Sequence, residues 1–269
     1  MALISLHDRD RIERWLRRDA AVHLYELGDL DDFFWPSTTW YGLAEPDEER
    51  LDAIALLYTA RELPVLVVMG RAADLPEVRA LVLALTPLMP SRFYAHVVPG
   101  SADVLAQSFD LTSHGTHDRM VLVDRRHVDA VDSSSASQLG PEDERELIEF
   151  YAHAYPANWF DPRMLGTGAY FGVRRDGKIV SVAGVHVVSR RQRVAALGNI
   201  ATDPAVRGQG LARIVTAAAC KSLADADPIG LNVAADNEAA IAVYRALGFE
   251  RVTCYEEHLA TVKVAAPRG

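Results

Sequence analysis

Apolar residues in the second half of the chain follow helical and strand periods in turn. Leu147, Ile148 and Tyr151 recur at helical spacing after the stretch Pro141 to Glu144, where proline and acidic residues favour a helix N-terminus. Strand-like runs follow at residues 169–174, 179–188 and 194–202. The Asp176-Gly177 turn between the first two runs predicts an antiparallel hairpin.

The pattern continues with alternating helices and strands to the end of the chain. A glycine-rich stretch at residues 207–210 precedes an alanine-rich helix that extends to about residue 224. A strand at residues 229–233, a helix at residues 237–247 and a last strand at residues 249–258 complete this half. This order predicts an α/β (α+β) domain.

The first half has a less regular pattern. Ile12, Trp15 and Leu16 mark an amphipathic helix, and residues 76–85 predict another helix. Buried strands are predicted at residues 65–69 and 120–123, whereas residues 51–60 could form either a strand or a helix, because their apolar run follows neither period well. Because the order of elements loosely repeats that of the second half, we expect a diverged structural repeat.

A polar stretch separates the halves. Residues 132–138 are rich in serine and have neither a helical nor a strand period, and Gly140-Pro141 follows. We interpret this stretch as a linker or an inter-domain loop. The predicted domains are therefore residues 1–132 and residues 138–269.

Composition and charge narrow the functional class. Of the 269 residues, 49% are hydrophobic and 24% are charged, as in soluble globular proteins. The net charge of -9 argues against nucleic acid as a partner and favours a cationic substrate such as an amine. Cys220 and Cys254 form no CxxC pair, which indicates a reducing compartment. The charged residues 8–11 and the lack of an apolar run of ~18 residues predict a cytosolic protein without a membrane partner.

The stretch from Arg207 to Ala212 has the context of a phosphate-binding turn. Its two glycines let successive backbone N–H groups point inward, and the following helix adds the positive end of its dipole. A simple strand-to-helix turn is the structural alternative. The spacing matches neither a P-loop nor G-x-G-x-x-G, so ATP and dinucleotides are poorly supported and another pyrophosphate carrier is expected.

Two motifs together carry a family resemblance. The first is Arg207-Gly208-x-Gly210-x-Ala212, and the second is Asn237, Tyr244 and Gly248-Phe249 one strand later. From about residue 138 to the C-terminus, the chain resembles the GCN5-related N-acetyltransferase (GNAT) superfamily. The resemblance implies a central mixed, mostly antiparallel sheet flanked by helices. The first half resembles at most a degenerate N-terminal GNAT-like domain, so that two such domains would stand in tandem.

The resemblance also implies an acetyl-CoA site. In the superfamily the signature turn binds the pyrophosphate through backbone N–H groups, and the preceding strand pairs with the pantetheine arm. Asn237 would cap its helix and also bond the pantetheine, whereas capping alone is the structural alternative. The implied cofactor-binding residues are Ile200, Ala201, Thr202, Arg207, Gly208, Gln209, Gly210, Leu211, Ala212, Arg213, Asn237 and Tyr244.

By the same resemblance, Tyr244 is the catalytic acid that protonates the departing CoA thiolate; the alternative is a core aromatic residue. A strand N–H near residues 200–202 would stabilise the oxyanion. The general base stays unassigned, because residues 195–197 lack the glutamate of some members; His186, Glu257 and His258 lie on adjacent predicted strands. His114 and His117 have a ligand-like gap but no third ligand, so no metal is expected.

The expected function is acetyl-CoA-dependent N-acetylation of a small molecule, amino acid or peptide amine. A non-catalytic acetyl-CoA-binding or interaction module is one alternative, and an acyltransferase that uses another acyl chain or a hydroxyl acceptor is another. The acceptor cannot be identified from the cofactor motifs. A homodimer also stays open.

Overall fold

The computed structural model describes residues 1–44 and 50–263. Contacts divide this part of the chain into two compact units. Of the described residues, the first unit comprises 1–44, 50–119, 234–236 and 252–263, and the second comprises 120–233 and 237–251. The sequence places the domain boundary at residues 132–138 instead. The difference arises because two long strands each contribute to both units.

The helices and strands of the first half alternate in an order typical of an α/β protein. In chain order they are β1 (Ala2–Leu6), α1 (Arg9–Leu16), α2 (Leu24–Gly28), β2 (Thr38–Ala44), β3 (Leu51–Tyr58), β4 (Val65–Val68), α3 (Leu75–Leu85), β5 (Arg92–Val97), α4 (Ala102–Leu105) and β6 (Phe109–Leu122).

The second half follows a similar order. Its elements are α5 (Arg125–Asp129), β7 (Ala136–Gln138), α6 (Glu144–Ala154), β8 (Phe171–Arg175), β9 (Lys178–Ser189), β10 (Val194–Thr202), α7 (Leu211–Ser222), β11 (Ile229–Ala234), α8 (Glu238–Ala246) and β12 (Phe249–Val262).

The sheet in each unit is mixed and mostly antiparallel, as the sequence predicts. In the first unit β1 to β4 pair antiparallel in chain order, and β4 pairs parallel with β5. In the second unit β7 to β10 pair antiparallel in chain order, and β10 pairs parallel with β11. Each unit thus has one parallel pair at the corresponding place, which supports the diverged repeat.

A strand from the other half of the chain completes each sheet. In the first unit the end of β12 lies between β5 and β6, and the N–H of Lys263 donates to the carbonyl of Ser108 at 3.0 Å. In the second unit the end of β6 lies between β11 and β12, and the N–H of Val123 donates to the carbonyl of Gly248 at 3.0 Å. A fragment that ended at residue 132 would therefore lack a strand of its own unit.

Apolar faces of helices cover both sheets. In the first unit Val78, Leu81 and Leu85 of α3 pack with β5 residues such as Phe93 in one core cluster. In the second unit the alanine-rich stretch of α7 is buried, because small side chains let the helix approach the sheet closely. The predicted flanking helices are thereby confirmed.

In three segments the observed secondary structure either departs from the sequence prediction or decides between its alternatives. The ambiguous residues 51–60 contain a strand, β3, buried on both faces, which removes the period of two. The predicted strand at 120–123 is only the buried end of β6, whose exposed start is too polar to stand out. The linker prediction is wrong for residues 136–138, which form β7 at the sheet edge, where polar side chains are tolerated.

Gly248 joins α8 to β12 where two backbone segments meet. Its φ is +88°, and a Cβ at this position would lie 2.3 Å from the carbonyl oxygen of Asp124. The carbonyl of Gly248 in turn accepts hydrogen bonds from the N–H groups of Val123 and Asp124. Both the left-handed conformation and the close approach therefore require glycine.

Replacing Gly248 with alanine should strongly destabilise the second unit. We expect a loss of about 2–4 kcal/mol in the free energy of unfolding, because the clash adds to the strain of a positive φ. Gly177→Ala is the matched control, since Gly177 has a φ of +76° but no atom within 4 Å of the built Cβ. Urea denaturation measures both. Equal losses in the two variants would show that the contact with Asp124 has no energetic weight.

Candidate active site

The parallel pairing of β10 with β11 in the second unit ends before either strand does. The register pairs Ala195 with Ile229 and ends at Leu197 with Leu231, whereas β10 continues to Thr202 and β11 to Ala234. Beyond Leu197 the edge of β10 that faces β11 has no ladder partner on that strand. The predicted pantetheine strand, including Ile200, Ala201 and Thr202, lies along this open edge.

The turn after β10 leads directly into the uncapped end of α7. Gly208 and Gly210 have φ values of +76° and +75°, and a Cβ on either would meet no atom within 4 Å. Gly210 is the N-cap residue, and no side chain bonds to the first turn of α7. The space beside both glycines is therefore open, and a helix leaves the N–H groups of its first turn without acceptors of its own. Arg207 and Arg213 are exposed beside them, so the end of the helix favours an anion.

A bulge deforms β10 between the opening and the turn. The register with β9 passes from Gly198–Gly184 to Ala201–Val182, so Asn199 and Ile200 oppose one residue of β9. Asn199 has a φ of +53° and is 3% exposed. Sequence reasoning missed this bulge, because neither composition nor periodicity marks a strand residue with a positive φ.

The second motif lies on and after α8. The Oδ1 atom of Asn237 accepts a hydrogen bond from the N–H of Ala240 at 3.2 Å, so its predicted role as a cap is confirmed. Tyr244 is 7% exposed within the core cluster of the second unit, and its ring lies 6.1 Å from that of Phe249. The described second unit thus contains the turn, the open strand and the tyrosine that the sequence predicts to act together.

The comparison with known families identifies this segment. Residues 136–249 match the model of the acetyltransferase (GNAT) family. The segment is a domain of the acetyltransferase (GNAT) family. GNAT acetyltransferases use acetyl-CoA, and the open strand, the glycine turn and α7 all lie within the matched residues.

Curated relatives match only part of the chain. A mycothiol acetyltransferase of Paenarthrobacter aurescens is 34% identical over 99 residues, which cover 35% of this chain and 29% of that protein. The N-alpha-acetyltransferase RimI of Mycobacterium tuberculosis is 34% identical over 84 residues, which cover 31% of this chain and 52% of that protein. The chain thus spans about a third to a half of the length of these relatives.

The GNAT fold extends beyond the matched segment. A tandem GNAT protein from the clavulanic acid biosynthesis pathway has a TM-score of 0.55 and 18% identity to the chain, over 98% of this chain and 99% of that one. At this identity the likeness concerns the fold alone. It agrees with the repeated order of elements in the two units.

In the first unit the corresponding parallel strands, β4 and β5, stay paired to their ends. The parallel register of β4 and β5 runs from Val65–Tyr94 to Val68–Val97, the last residues of both strands. In the following loop, the Asp74 carboxylate accepts a hydrogen bond from the N–H of Arg71 at 2.7 Å. Asp74 is also the N-cap residue of α3; its side chain makes no hydrogen bond to the first turn, but it places a negative charge at the start of this helix.

The candidate bases fall into different units. Glu257 and His258 lie in the part of β12 that belongs to the first unit. There the Glu257 carboxylate lies 3.6 Å from Nε2 of His96, and burial lowers the pKa of His96 to about 3. His186 lies in the second unit, and a Cβ on Gly198 would come within 2.3 Å of its ring.

The described residues contain no group of three or more His, Cys, Asp or Glu side chains arranged to hold a metal ion. His117, one of the two histidines with ligand-like spacing, lies 3.9 Å from the Glu257 carboxylate and stacks on Tyr255. In the described ranges, no helix is long and apolar enough to cross a membrane.

Capping by Asn237 should be measurable. Asn237→Ala leaves an N–H of the first turn of α8 without its acceptor, so we expect a loss of about 1 kcal/mol in the free energy of unfolding. Asn237→Ser keeps a capping oxygen and should recover most of that loss. Chemical denaturation of the three proteins tests this, and equal destabilisation of both variants would argue against the cap.

Proposed function

We propose that the chain is an N-acetyltransferase that transfers the acetyl group of acetyl-CoA directly to an amine of a small molecule, amino acid or peptide. The observation that carries the proposal is the open edge of β10 followed by the uncapped N-terminus of α7. The family match and the relatives named as acetyltransferases, one of them an N-alpha-acetyltransferase, support it. The formal charge of -9 also suits a cationic acceptor better than a nucleic acid.

The second unit fits the diphosphate of acetyl-CoA. Backbone N–H groups from Gly208 to Arg213 would bind it, because both glycines leave the space in front of them open. The edge of β10 from Ile200 to Thr202 would bind the pantetheine amides as a partial strand. Neither feature occurs among the described residues of the first unit, so we propose that the cofactor binds to the second unit.

The chemistry follows from the residues around that edge. Acetyl-CoA supplies the activated acyl group. The N–H of Ile200 would donate to the carbonyl oxygen, on which negative charge develops as a neutral amine attacks. Tyr244 would give its proton to the departing sulfur, which suits a phenol of pKa ~10 and a thiol of pKa ~8.5. His186, whose ring packs against Gly198 beside the bulge, is the candidate base in the same unit.

The burial of Tyr244 keeps a second function under consideration. A tyrosine that is 7% exposed and packed near Phe249 also fits a purely structural role. The chain would then bind acetyl-CoA without catalysing transfer. The two functions differ in turnover and agree in cofactor binding, so each needs its own experiment.

The cofactor site is tested by the effect of CoA on the Tm of the wild-type protein and of two glycine variants. CoA at a hundredfold excess over its Kd should stabilise the native protein by ~2.7 kcal/mol, seen as a rise in Tm. Gly210→Val should abolish this rise, because the side chain enters the space in front of the N–H groups and the left-handed φ is strained. Gly177→Val carries a similar strain at a φ of +76° on the β8–β9 turn.

Gly177→Val should therefore keep the shift with CoA although its own Tm falls. If Gly210→Val also keeps the shift, the diphosphate binds elsewhere. If CoA shifts none of the three proteins, the proposed cofactor is wrong.

The chemistry is tested by Tyr244→Phe. This substitution keeps the ring, so Tm and the shift with CoA should change little. The rate constant kcat for CoA release with an accepted amine should fall by ~10²- to 10⁴-fold, the usual contribution of a general acid. A fall of less than about threefold, with chemistry shown to limit the rate, would make Tyr244 a packing residue, since one hydrogen bond contributes only about 1 kcal/mol. Wild-type protein that binds acetyl-CoA but acetylates no amine or alcohol would favour the binding module.

A further inference from the structure

Both ends of the Asn199 side chain are fixed by other parts of the second unit. Its Nδ2 atom donates to the Tyr170 hydroxyl at 2.9 Å, and its Oδ1 atom accepts from the N–H of Trp159 at 3.0 Å. The Tyr170 hydroxyl donates onward to the carbonyl of Val185 at 3.2 Å. The left-handed conformation, which non-glycine residues seldom adopt, is therefore held by hydrogen bonds on both sides.

The backbone carbonyl of Asn199 is also fixed. The Tyr151 hydroxyl, on α6, donates to this oxygen at 2.7 Å. Tyr151 is 1% exposed and packs between Phe150 and Phe160, with ring centroids 5.5 Å and 5.3 Å away. Burial raises the pKa of Tyr151 well above its usual value, so the hydroxyl stays a donor at every pH at which the protein is assayed.

A fixed carbonyl determines the direction of the next N–H. The Asn199–Ile200 peptide is trans and planar, so its C=O and N–H point in opposite directions. Because Tyr151 holds the oxygen, the N–H of Ile200 must point away from Tyr151. The regular ladder with β9 is interrupted at this bulge, and the Tyr151 hydroxyl supplies a hydrogen bond that helps to fix the orientation of the peptide.

We propose that Tyr151 and Asn199 are positioning residues that aim the Ile200 N–H at the carbonyl oxygen of the bound thioester. The proposal rests on the function proposed above and adds to it the means by which the oxyanion donor is oriented. Neither side chain touches the reacting atoms. Tyr151 acts through the peptide, and Asn199 acts through the bulge that contains it.

The effect should fall on the chemical step. Removing an oxyanion donor costs ~10²- to 10³-fold in kcat, and a misplacement of about 1 Å can have a comparable effect. A peptide that is free to rotate loses part of this contribution. The pyrophosphate turn lies farther along the chain and does not contact Tyr151 or Asn199 through any of these bonds, so affinity for the CoA portion should be retained.

The principal test is Tyr151→Phe, which deletes one hydroxyl and keeps the ring. We expect kcat to fall about 10- to 100-fold, while the Kd for CoA stays within about twofold. Ser222→Ala is the matched control, because it also deletes one hydroxyl that donates to a carbonyl, that of Ala219 at 2.8 Å, at the opposite end of α7 from the turn. The control should keep its kcat.

A binding measurement gives a second readout without turnover. The thioester carbonyl is present in acetyl-CoA and absent from CoA, so the N–H of Ile200 should favour the acetylated form. In Tyr151→Phe the ratio of the Kd for CoA to the Kd for acetyl-CoA should fall toward one, while the Kd for CoA itself stays unchanged. Calorimetry on wild-type protein, Tyr151→Phe and Ser222→Ala measures this.

Should Tyr151→Phe fail to fold, Asn199→Gly takes its place, because glycine keeps the positive φ and loses the bonds to Tyr170 and Trp159. The proposal is overturned if an active wild-type protein and a folded variant share the same kcat within about threefold. With an inactive wild-type protein, an unchanged ratio of the two dissociation constants overturns it and a reduced ratio supports it. Inactivity of the wild-type protein itself counts against the proposed catalysis, and loss of CoA binding counts against the proposed cofactor.

Discussion

The early end of the parallel ladder between β10 and β11 is the constraint on which the candidate site depends. A parallel ladder that continued past Leu197 and Leu231 would fill the edge of β10 with hydrogen bonds to β11. The first unit shows what such a ladder does, since β4 and β5 pair to their last residues. The parallel strands thus pair to their ends in the first unit and leave part of an edge unpaired by the neighbouring parallel strand in the second. The bulge at Asn199 lies in the same stretch of β10, beyond the last residue that pairs with β11.

Local chemistry explains how much of the site could be predicted from the sequence. The turn at Gly208 and Gly210, the cap Asn237 and the Gly248-Phe249 corner depend on φ angles and hydrogen bonds within a few residues, and motifs encode these directly. The Tyr151 bond to Asn199 joins residues 48 positions apart, and no period marks it. The helical spacing of the apolar residues predicts Tyr151 on a helix, and the structure has it on α6. The hydrogen bond of its hydroxyl could not be predicted, because the partner is the Asn199 carbonyl at a bulge that the sequence does not mark.

The same distinction applies to the fold. Strands with clear burial, such as β10 and β11, could be predicted because both faces are apolar. β7 and the start of β6 were missed, since edge pairing tolerates polar side chains and contributes backbone hydrogen bonds without an apolar signature. No local sequence pattern shows that β6 and β12 each contribute to both units. Because β12 contributes to both units, its sequence satisfies two sets of neighbours at once, which also obscures the repeat.

The first unit indicates how a helix N-terminus can lose an anion site without losing the helix. The unsatisfied N–H groups at the start of any helix need an acceptor, and a carboxylate supplied by the chain serves as well as a bound phosphate group for stability. Neither Asp74 of α3 nor Gly210 of α7 makes a side-chain hydrogen bond to the first turn of its helix. The two starts differ in charge and volume, because the Asp74 carboxylate stands at the start of α3 and accepts from the N–H of Arg71, whereas Gly210 offers no side chain. A carboxylate at this place repels a second anion and takes up space that the anion would need. Glycine at the N-cap costs only a few tenths of a kcal/mol relative to a capping side chain. The difference between the units is therefore whether a negative side chain stands where an anion would bind.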